Sequence, residues 1–238
     1  MSVQVFVRHC HYSACSAKKP RLPGYSREKC HENLIQTADL RTACFTLLLD
    51  TFHPMEKPHF VTEQRDHPVV EFKGGTETAS FLFLLEYVTA QTFSDETIIY
   101  FLEDDYLHRP GWTEILLEGL ALEKADYVTL FDHGDKYTLP QFRTLSTQLY
   151  HTRSCHWRTT PSTTNTYAMR FETLKAHYDV HRAFSLGRKI TLDHEKFLRL
   201  GQLGATLLSS VPGWSTHIEA GYLSPAYDWE RLLCDPRC

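Results

Sequence analysis

Apolar residues along the chain fall into short β-type runs separated by stretches of helical spacing. Residues 3–7 (VQVFV) read as a first strand, which stops at Arg8-His9-Cys10-His11 before a polar loop holding Lys18, Lys19, Pro20, Pro23 and Gly24. Between residues 32 and 52, Leu34, Ile35, Ala38, Phe45, Leu48, Leu49 and Phe52 recur mostly at three-, four- and seven-residue intervals, which predicts a helix with one buried face. Short strands are expected over 59–62 and 68–72, and Lys73-Gly74-Gly75-Thr76 leads into an apolar helix over 78–90. Residues 97–102 (TIIYFL) make an almost continuous apolar, β-rich run, the pattern of a central strand covered on both faces. A helix over 112–123 and a buried strand over 127–131 come next. Edge strands are expected within 144–158, a strand over 164–169, and helices over 171–178 and 192–200. Strands alternating with helices, with no repeat and no long Pro/Gly/Ser linker, predict one α/β domain with a mixed, mostly parallel sheet.

Composition narrows the function classes. Hydrophobic residues at 42% and aromatics at 13% of 238 residues supply a packed core and exclude a disordered or collagen-like chain. With 25 Lys+Arg against 29 Asp+Glu there is no overall basic excess to grip phosphate backbones, so nucleic acid is not a favoured partner. The most apolar stretch, 79–85, falls far short of the roughly 20 residues that cross a bilayer. The start MSVQVFVRHC carries no hydrophobic signal segment, so a cytoplasmic chain without a transmembrane segment is expected. Seven irregularly spaced cysteines read as free thiols.

The most informative feature is Glu103-Asp104-Asp105, three carboxylates at the carboxyl end of the buried strand 97–102. Ligands of open α/β sheets bind beyond such strand ends, and crowded carboxylates repel one another unless a cation or proton intervenes. Mg²⁺ or Mn²⁺ suits oxygen ligands of this kind. An acidic turn that caps the next helix is the competing explanation. Asp132, His133 and Asp135 end another buried strand at the same sheet edge, where they meet a ligand or else form a solvated turn.

FLEDDYLHRPGW resembles the acidic "DxD" segment of GT-A type, nucleotide-sugar-dependent glycosyltransferases. ITLDHEKFLRL is similar to the segment that carries the catalytic base in inverting members, and GWSTHIEAGYLSP to the C-terminal stretch that contributes a metal-binding histidine. The resemblance implies a GT-A-like, Rossmann-related fold over the whole chain. A nucleotide-binding half would span about 1–107, and an acceptor-binding and catalytic half about 108–238. It implies transfer of a sugar from a nucleotide-diphosphate donor to an acceptor hydroxyl, with a glycan the favoured acceptor and a modified nucleobase still open. By position, Asp105, His217 and Glu103 would hold Mn²⁺ or Mg²⁺, Asp104 would help to position it, and Asp193 or Glu195 would be the base. The motif is EDD where the family has DxD, and LDHE stands where a Glu-Asp pair is commoner.

Other residues fit this scheme by place. Arg8 at the end of the first strand, Glu63 at the end of the strand 59–62, and Lys73, Gly74 and Gly75 before a helix could meet base, ribose and phosphate, the glycines allowing close backbone approach. Trp157, beside a hydroxyl-rich TTPSTTNTYA segment, could stack on a sugar ring, and Trp112 and Trp214 could wall the metal site; core packing accounts for all three equally well. Three rival readings compete with this one. A zinc module could draw on His9, Cys10, His11, Cys15, Cys30 and His31, or on Cys234 and Cys238, although neither set shows a paired C-x₂-C pattern. A metal-dependent phosphohydrolase or nuclease would gather the same acids around two ions, and a non-catalytic sugar- or nucleotide-binding module would use them without turnover.

Overall fold

Val3, Val5 and Val7 point to one face of the first strand and Phe6 to the other, so β1 (Val3–Cys10) is buried on both sides and must lie inside a sheet. The computed structural model describes residues 2–54 and 56–234. The remaining strands are β2 (Ala43–Asp50), β3 (Val69–Phe72), β4 (Ile98–Glu103), β5 (Tyr106–His108), β6 (Tyr127–Thr129), β7 (Leu149–His151), β8 (His156–Thr159), β9 (Tyr167–Arg170), β10 (Leu207–Val211) and β11 (Ser215–His217). Nine of them form one sheet in the order β3-β2-β1-β4-β9-β6-β10-β8-β7, while β5 and β11 pair antiparallel in a small second sheet. Strands β3, β2, β1 and β4 run parallel, β9 runs antiparallel between β4 and β6, and β8 runs antiparallel to β10. The expected mixed, mostly parallel α/β sheet is the observed one.

Helices cover both faces. They are α1 (Arg27–Gln36), α2 (Phe60–Glu63), α3 (Glu77–Thr89), α4 (Trp112–Leu120), α5 (Asp135–Thr138), α6 (Phe171–Ala176), α7 (Tyr178–Ala183), α8 (Asp193–Gln202) and α9 (Trp229–Cys234). One core layer joins Val3, Val5, Leu47, Tyr100 and Leu102 to Leu34 of α1 and to Trp112 and Leu116 of α4. The other joins Phe6, Leu48, Ile99 and Phe101 to Phe81 and Leu85 of α3 and to Phe197 and Leu200 of α8. Among the described residues no helix is long and apolar enough to cross a membrane.

Two expectations need correction. The helix over 32–52 is a helix and a strand. The Asp39 carboxylate accepts from the Arg41 amide at 3.1 Å and from Thr42 Oγ1 at 3.2 Å, and this turn ends α1 and lets Ala43–Asp50 extend. A strand buried on both faces carries apolar residues without strict alternation, and that mimics helical spacing. The strand over 59–62 is instead the single turn α2, because the His59 ring caps it by accepting from the Val61 amide at 3.3 Å.

Core tightness can be tested at one helical glycine. A Cβ on Gly119 of α4 would lie 2.5 Å from Cη2 of Trp157, which is fully buried, whereas one on Gly201 of α8 meets nothing within 4 Å. Alanine is favoured over glycine in a helix by about 1 kcal/mol, but overpacking costs about 1–3 kcal/mol. We expect Gly119→Ala to lower stability by about 1–2 kcal/mol and Gly201→Ala to leave it unchanged or raise it in urea denaturation; two equal effects would contradict this packing.

Candidate functional site

Parallel pairing of β1 and β4 sets Arg8 directly beside Glu103 at the carboxyl ends of both strands. Arg8 is 6% exposed; its Nη2 donates to Glu103 Oε1 at 2.7 Å and its Nη1 to Glu77 Oε1 at 3.2 Å. Glu77 opens α3 just after Thr76, whose hydroxyl caps the helix. Glu77 Oε2 accepts from the amide and the hydroxyl of Thr191, both at 2.7 Å, and Oε1 accepts from Asn165 Nδ2 at 2.9 Å. Asn165 Oδ1 in turn accepts from Lys196 Nζ, which also lies 3.3 Å from Asp193 Oδ1. A continuous polar chain therefore links the end of β1 to the first turn of α8, and it brings Asp193 to the same edge of the sheet as Glu103. Glu195 does not join them: it is exposed on α8.

Burial acts on every member of this chain and the partners decide the outcome. Burial raises the Glu103 carboxyl; Arg8 opposes it, but Asp105, Glu77 and Asp193 add to it, and the pKa reaches about 7. Asp193 is also raised, first by burial, with Lys196 opposing and Glu77 reinforcing. Glu77 goes the other way, because Arg8, Thr191 and Asn165 overcome its burial. Lys196 is fully buried and its pKa is lowered by burial, against the pull of Asp193.

The three consecutive carboxylates diverge, and each meets its own arginine. Glu103 pairs with Arg8, Asp104 with Arg27 Nε at 3.2 Å, and Asp105 with Arg21 Nη2 at 2.8 Å. Asp104 also accepts from the Cys10 amide at 3.3 Å. Antiparallel pairing of β5 with β11 places His217 opposite Tyr106, and this puts His217 Nε2 3.1 Å from Asp105 Oδ2. Asp105 and His217, expected as ligands of one metal ion, thus touch each other directly. Burial would raise Asp105, but His217 and Arg21 hold it well below the ordinary carboxylate range; burial would lower His217, but Asp105 and Glu219 lift it.

These residues do not make a fitting shell for a resident divalent ion. His217 Nε2 and Asp105 Oδ2 are in direct contact at 3.1 Å, and the Arg21 guanidinium lies against both, Nη1 3.4 Å from His217 Nε2 and Nη2 bonded to Asp105. Glu103 and Asp104 are turned to other arginines. Asp105 Oδ1 is buried without a partner, but among the described residues no three His, Cys, Asp or Glu side chains converge to hold a metal. The expected Mn²⁺ or Mg²⁺ set of Asp105, His217 and Glu103 is therefore not assembled.

Several other expected site residues lie elsewhere. Glu63 is exposed on α2, and the acid that ends the second strand is Asp50. The Asp50 carboxylate accepts from the amides of Gly74 at 2.9 Å and Gly75 at 2.7 Å, so these two donors are already engaged; Lys73 beside them is exposed. Trp112 and Trp157 are fully buried core residues with no face for a sugar. Trp214 is partly exposed, but the Arg109 guanidinium covers its ring at 3.8 Å. Asp132 is 1% exposed and is held by Arg158 Nη2 at 2.7 Å and the Tyr137 hydroxyl at 2.6 Å, while His133 Nδ1 contacts Asp135 at 2.9 Å. Asp132 thus braces the end of β6. The six cysteines among the described residues are free thiols; Cys238 lies outside the described residues. At the amino-terminal cluster, the rings of His9, His31 and His59 pack edge to face within 6 Å, and no zinc set forms among the described residues.

Arg21, Arg27, Asp50, Glu77, Asn165 and Lys196 were not anticipated. Asp50 had a signal, since it ends a strand at the same edge as Cys10 and Glu103. The others reach the site across 26 to 114 residues of chain, and no local pattern announces such pairings.

No protein-family model matches the chain, and neither does any curated protein. Among solved structures, it is similar to a CMP:2-keto-3-deoxy-manno-octonic acid synthetase complexed with CTP, at 17% identity and a TM-score of 0.52 over 90% of this chain and 92% of that one. It is also similar to the inositol-1-phosphate CTP transferase of T. maritima, at 12% identity and a TM-score of 0.50 over 100% and 96% of the two chains. The 1–349 segment of S. aureus TarS aligns at 11% identity and a TM-score of 0.49 over 88% of this chain and 58% of that one. The first two likenesses show the fold alone: a Rossmann-like α/β sheet flanked by helices.

Proposed function

We propose that the chain is a nucleotide-utilising transferase that moves a sugar from a nucleotide-diphosphate donor to an acceptor hydroxyl, with Asp193 as general base. The observation that carries this reading is the polar chain that joins Arg8, Glu77 and Asp193 beside Glu103 at the carboxyl edge of the sheet. Ligands of open α/β sheets bind at that edge. A carboxylate with a raised pKa at the start of α8 is suited to take the proton of an attacking hydroxyl near neutral pH. In the reaction the acceptor oxygen bonds to the anomeric carbon and its proton passes to Asp193. The bond from that carbon to the phosphate oxygen breaks, and the diphosphate leaves with the electron pair. Attack from the face opposite the diphosphate inverts the anomeric centre. A divalent ion, expected from the acidic motif, would first have to displace Arg21 from Asp105.

A second reading is supported by the names of the two similar structures, both of which refer to CTP. In nucleotidyl transfer an acceptor oxygen attacks the α-phosphate of a nucleoside triphosphate and pyrophosphate leaves. The products discriminate the two readings: a sugar donor yields a nucleoside diphosphate, and a triphosphate yields pyrophosphate. A product assay over both donor classes decides between them, and the absence of both products would set aside transferase activity.

Two predictions follow from the site. Asp193→Asn keeps the shape and the contact with Lys196 but cannot accept a proton, so transfer should fall by about 10²-fold or more while nucleotide affinity stays within a few-fold of wild type; normal turnover in this variant would remove Asp193 as the base. Glu103 provides a pH test. Its pKa is about 7 in the folded chain against an ordinary 4.5, so folding takes up a proton between these values and stability declines as pH rises through that window. Glu103→Gln imitates the protonated form. Its melting temperature should match wild type near pH 5 and exceed it at pH 8, by the equivalent of about 1–3 kcal/mol. A difference independent of pH would contradict the assignment.

A further inference from the structure

Beside the acidic motif lies an open cleft of about 320 Å³, lined by Ser13, Ser16, Lys19, Arg21, Tyr25 and Arg27 among others. Arg21 and Arg27 are the partners of Asp105 and Asp104, yet neither carboxylate lines the cleft. The arginines stand between the acids and the opening, so a bound molecule meets guanidinium, ammonium and hydroxyl donors in place of carboxylate oxygens. Each cation is held by its own acid: Lys19 Nζ lies 3.2 Å from Glu219, and Arg21 and Arg27 are fixed by Asp105 and Asp104.

Arg21 is further fixed by its bonds to the Ile218 carbonyl at 2.7 Å and to the Ser16 hydroxyl. Arg27 is fixed by the Cys10 and His11 carbonyls at 2.8 and 3.1 Å. Cations held in this way keep their positions when a ligand arrives, Arg21 as fixed charge and Arg27 with Nη2 as a donor. Arg21 Nε is buried without a hydrogen-bond partner and Arg27 Nε faces Asp104 at 3.2 Å, while Arg27 Nη2 makes none of these bonds. Planar donors of fixed geometry beside hydroxyls are matched to phosphate oxygens.

We infer that this cleft holds the phosphates of the nucleotide, and that Arg21, with Lys19 and Arg27, supplies the positive charge that a divalent ion would otherwise bring. The inference rests on the proposed transferase reading and makes it more specific: charge that builds on the leaving diphosphate is met by residues of this chain. A divalent ion placed between Asp105 and His217 would be forced against the Arg21 guanidinium, which already neutralises that carboxylate.

The test is calorimetric titration of the full chain with UDP, CDP, GDP and dTDP, each in EDTA and in Mn²⁺. At least one nucleotide should bind with an affinity that differs by less than about threefold between the two conditions. Arg21→Ala should weaken that binding in EDTA by about 10- to 100-fold, the loss of one charge-assisted phosphate contact. Because Arg21 is partly buried, Lys19→Ala serves as the milder variant, and its far more exposed side chain should contribute a loss of a few-fold. Binding that requires Mn²⁺ and vanishes in EDTA would overturn the arginine site and leave the transferase reading standing. Metal-independent binding that ignores both substitutions would place the phosphates outside this cleft. No binding of any nucleotide in either condition would overturn the inference together with the reading on which it rests.

Discussion

Three adjacent carboxylates at the end of a buried strand repel one another strongly, and the surrounding structure is organised around neutralising them. The solution here is distributed. Each acid leaves the strand in its own direction, and each is met by an arginine from a different part of the amino-terminal third: Arg8 from β1, Arg21 from the loop that follows it, and Arg27 from the first turn of α1. Removing one cation would leave a poorly solvated carboxylate among two others, a loss of about 3–5 kcal/mol for a buried pair. The loop from residue 11 to 26 is therefore tied to the sheet by charge as well as by the apolar contacts of Leu22 and Tyr25 with Trp229 and Leu232.

Much of the fold was legible because strand burial and helix periodicity dominate the pattern. The runs over 3–7, 97–102 and 127–131 are nearly pure apolar and became β1, β4 and β6. The helices near 78–90, 112–123 and 192–200 also lie close to their expected bounds. The failures share one physical origin. Residues 43–50 carry an apolar pattern that fits helix and buried strand alike, and only the Asp39 turn before them decides the matter. Strands β10 and β11 went unread because serines and threonines interrupt them: LLSSV and STH owe their burial to sheet neighbours and to hydroxyl contacts such as Ser210 Oγ with the Leu130 carbonyl.

The site was legible in outline only. Strand-end acids and a basic residue on the adjacent strand mark the sheet edge, and parallel register brings Arg8 to Glu103 without further help. Sequence could not show that Arg21 would pack against both Asp105 and His217. That outcome depends on a loop conformation and on the β5–β11 pairing, both long-range. It is also why a motif read as a metal site gives an arginine-lined cleft once its neighbours are in place.

The same long-range character explains how the start of α8 is tied to the end of β1. Thr191, Asp193 and Lys196 lie at or just before the start of α8, and they meet Arg8 only through Glu77 and Asn165. Glu77 accepts from four donors on three separate segments, and so any shift of α3 moves the first turn of α8 relative to β1. Lys196 completes the arrangement from below. Its ammonium is fully buried, lies 4.5 Å from the centre of the Phe81 ring, and is bonded to Asn165 and Asp193. A buried cation beside Asp193 limits how far burial can raise that carboxyl.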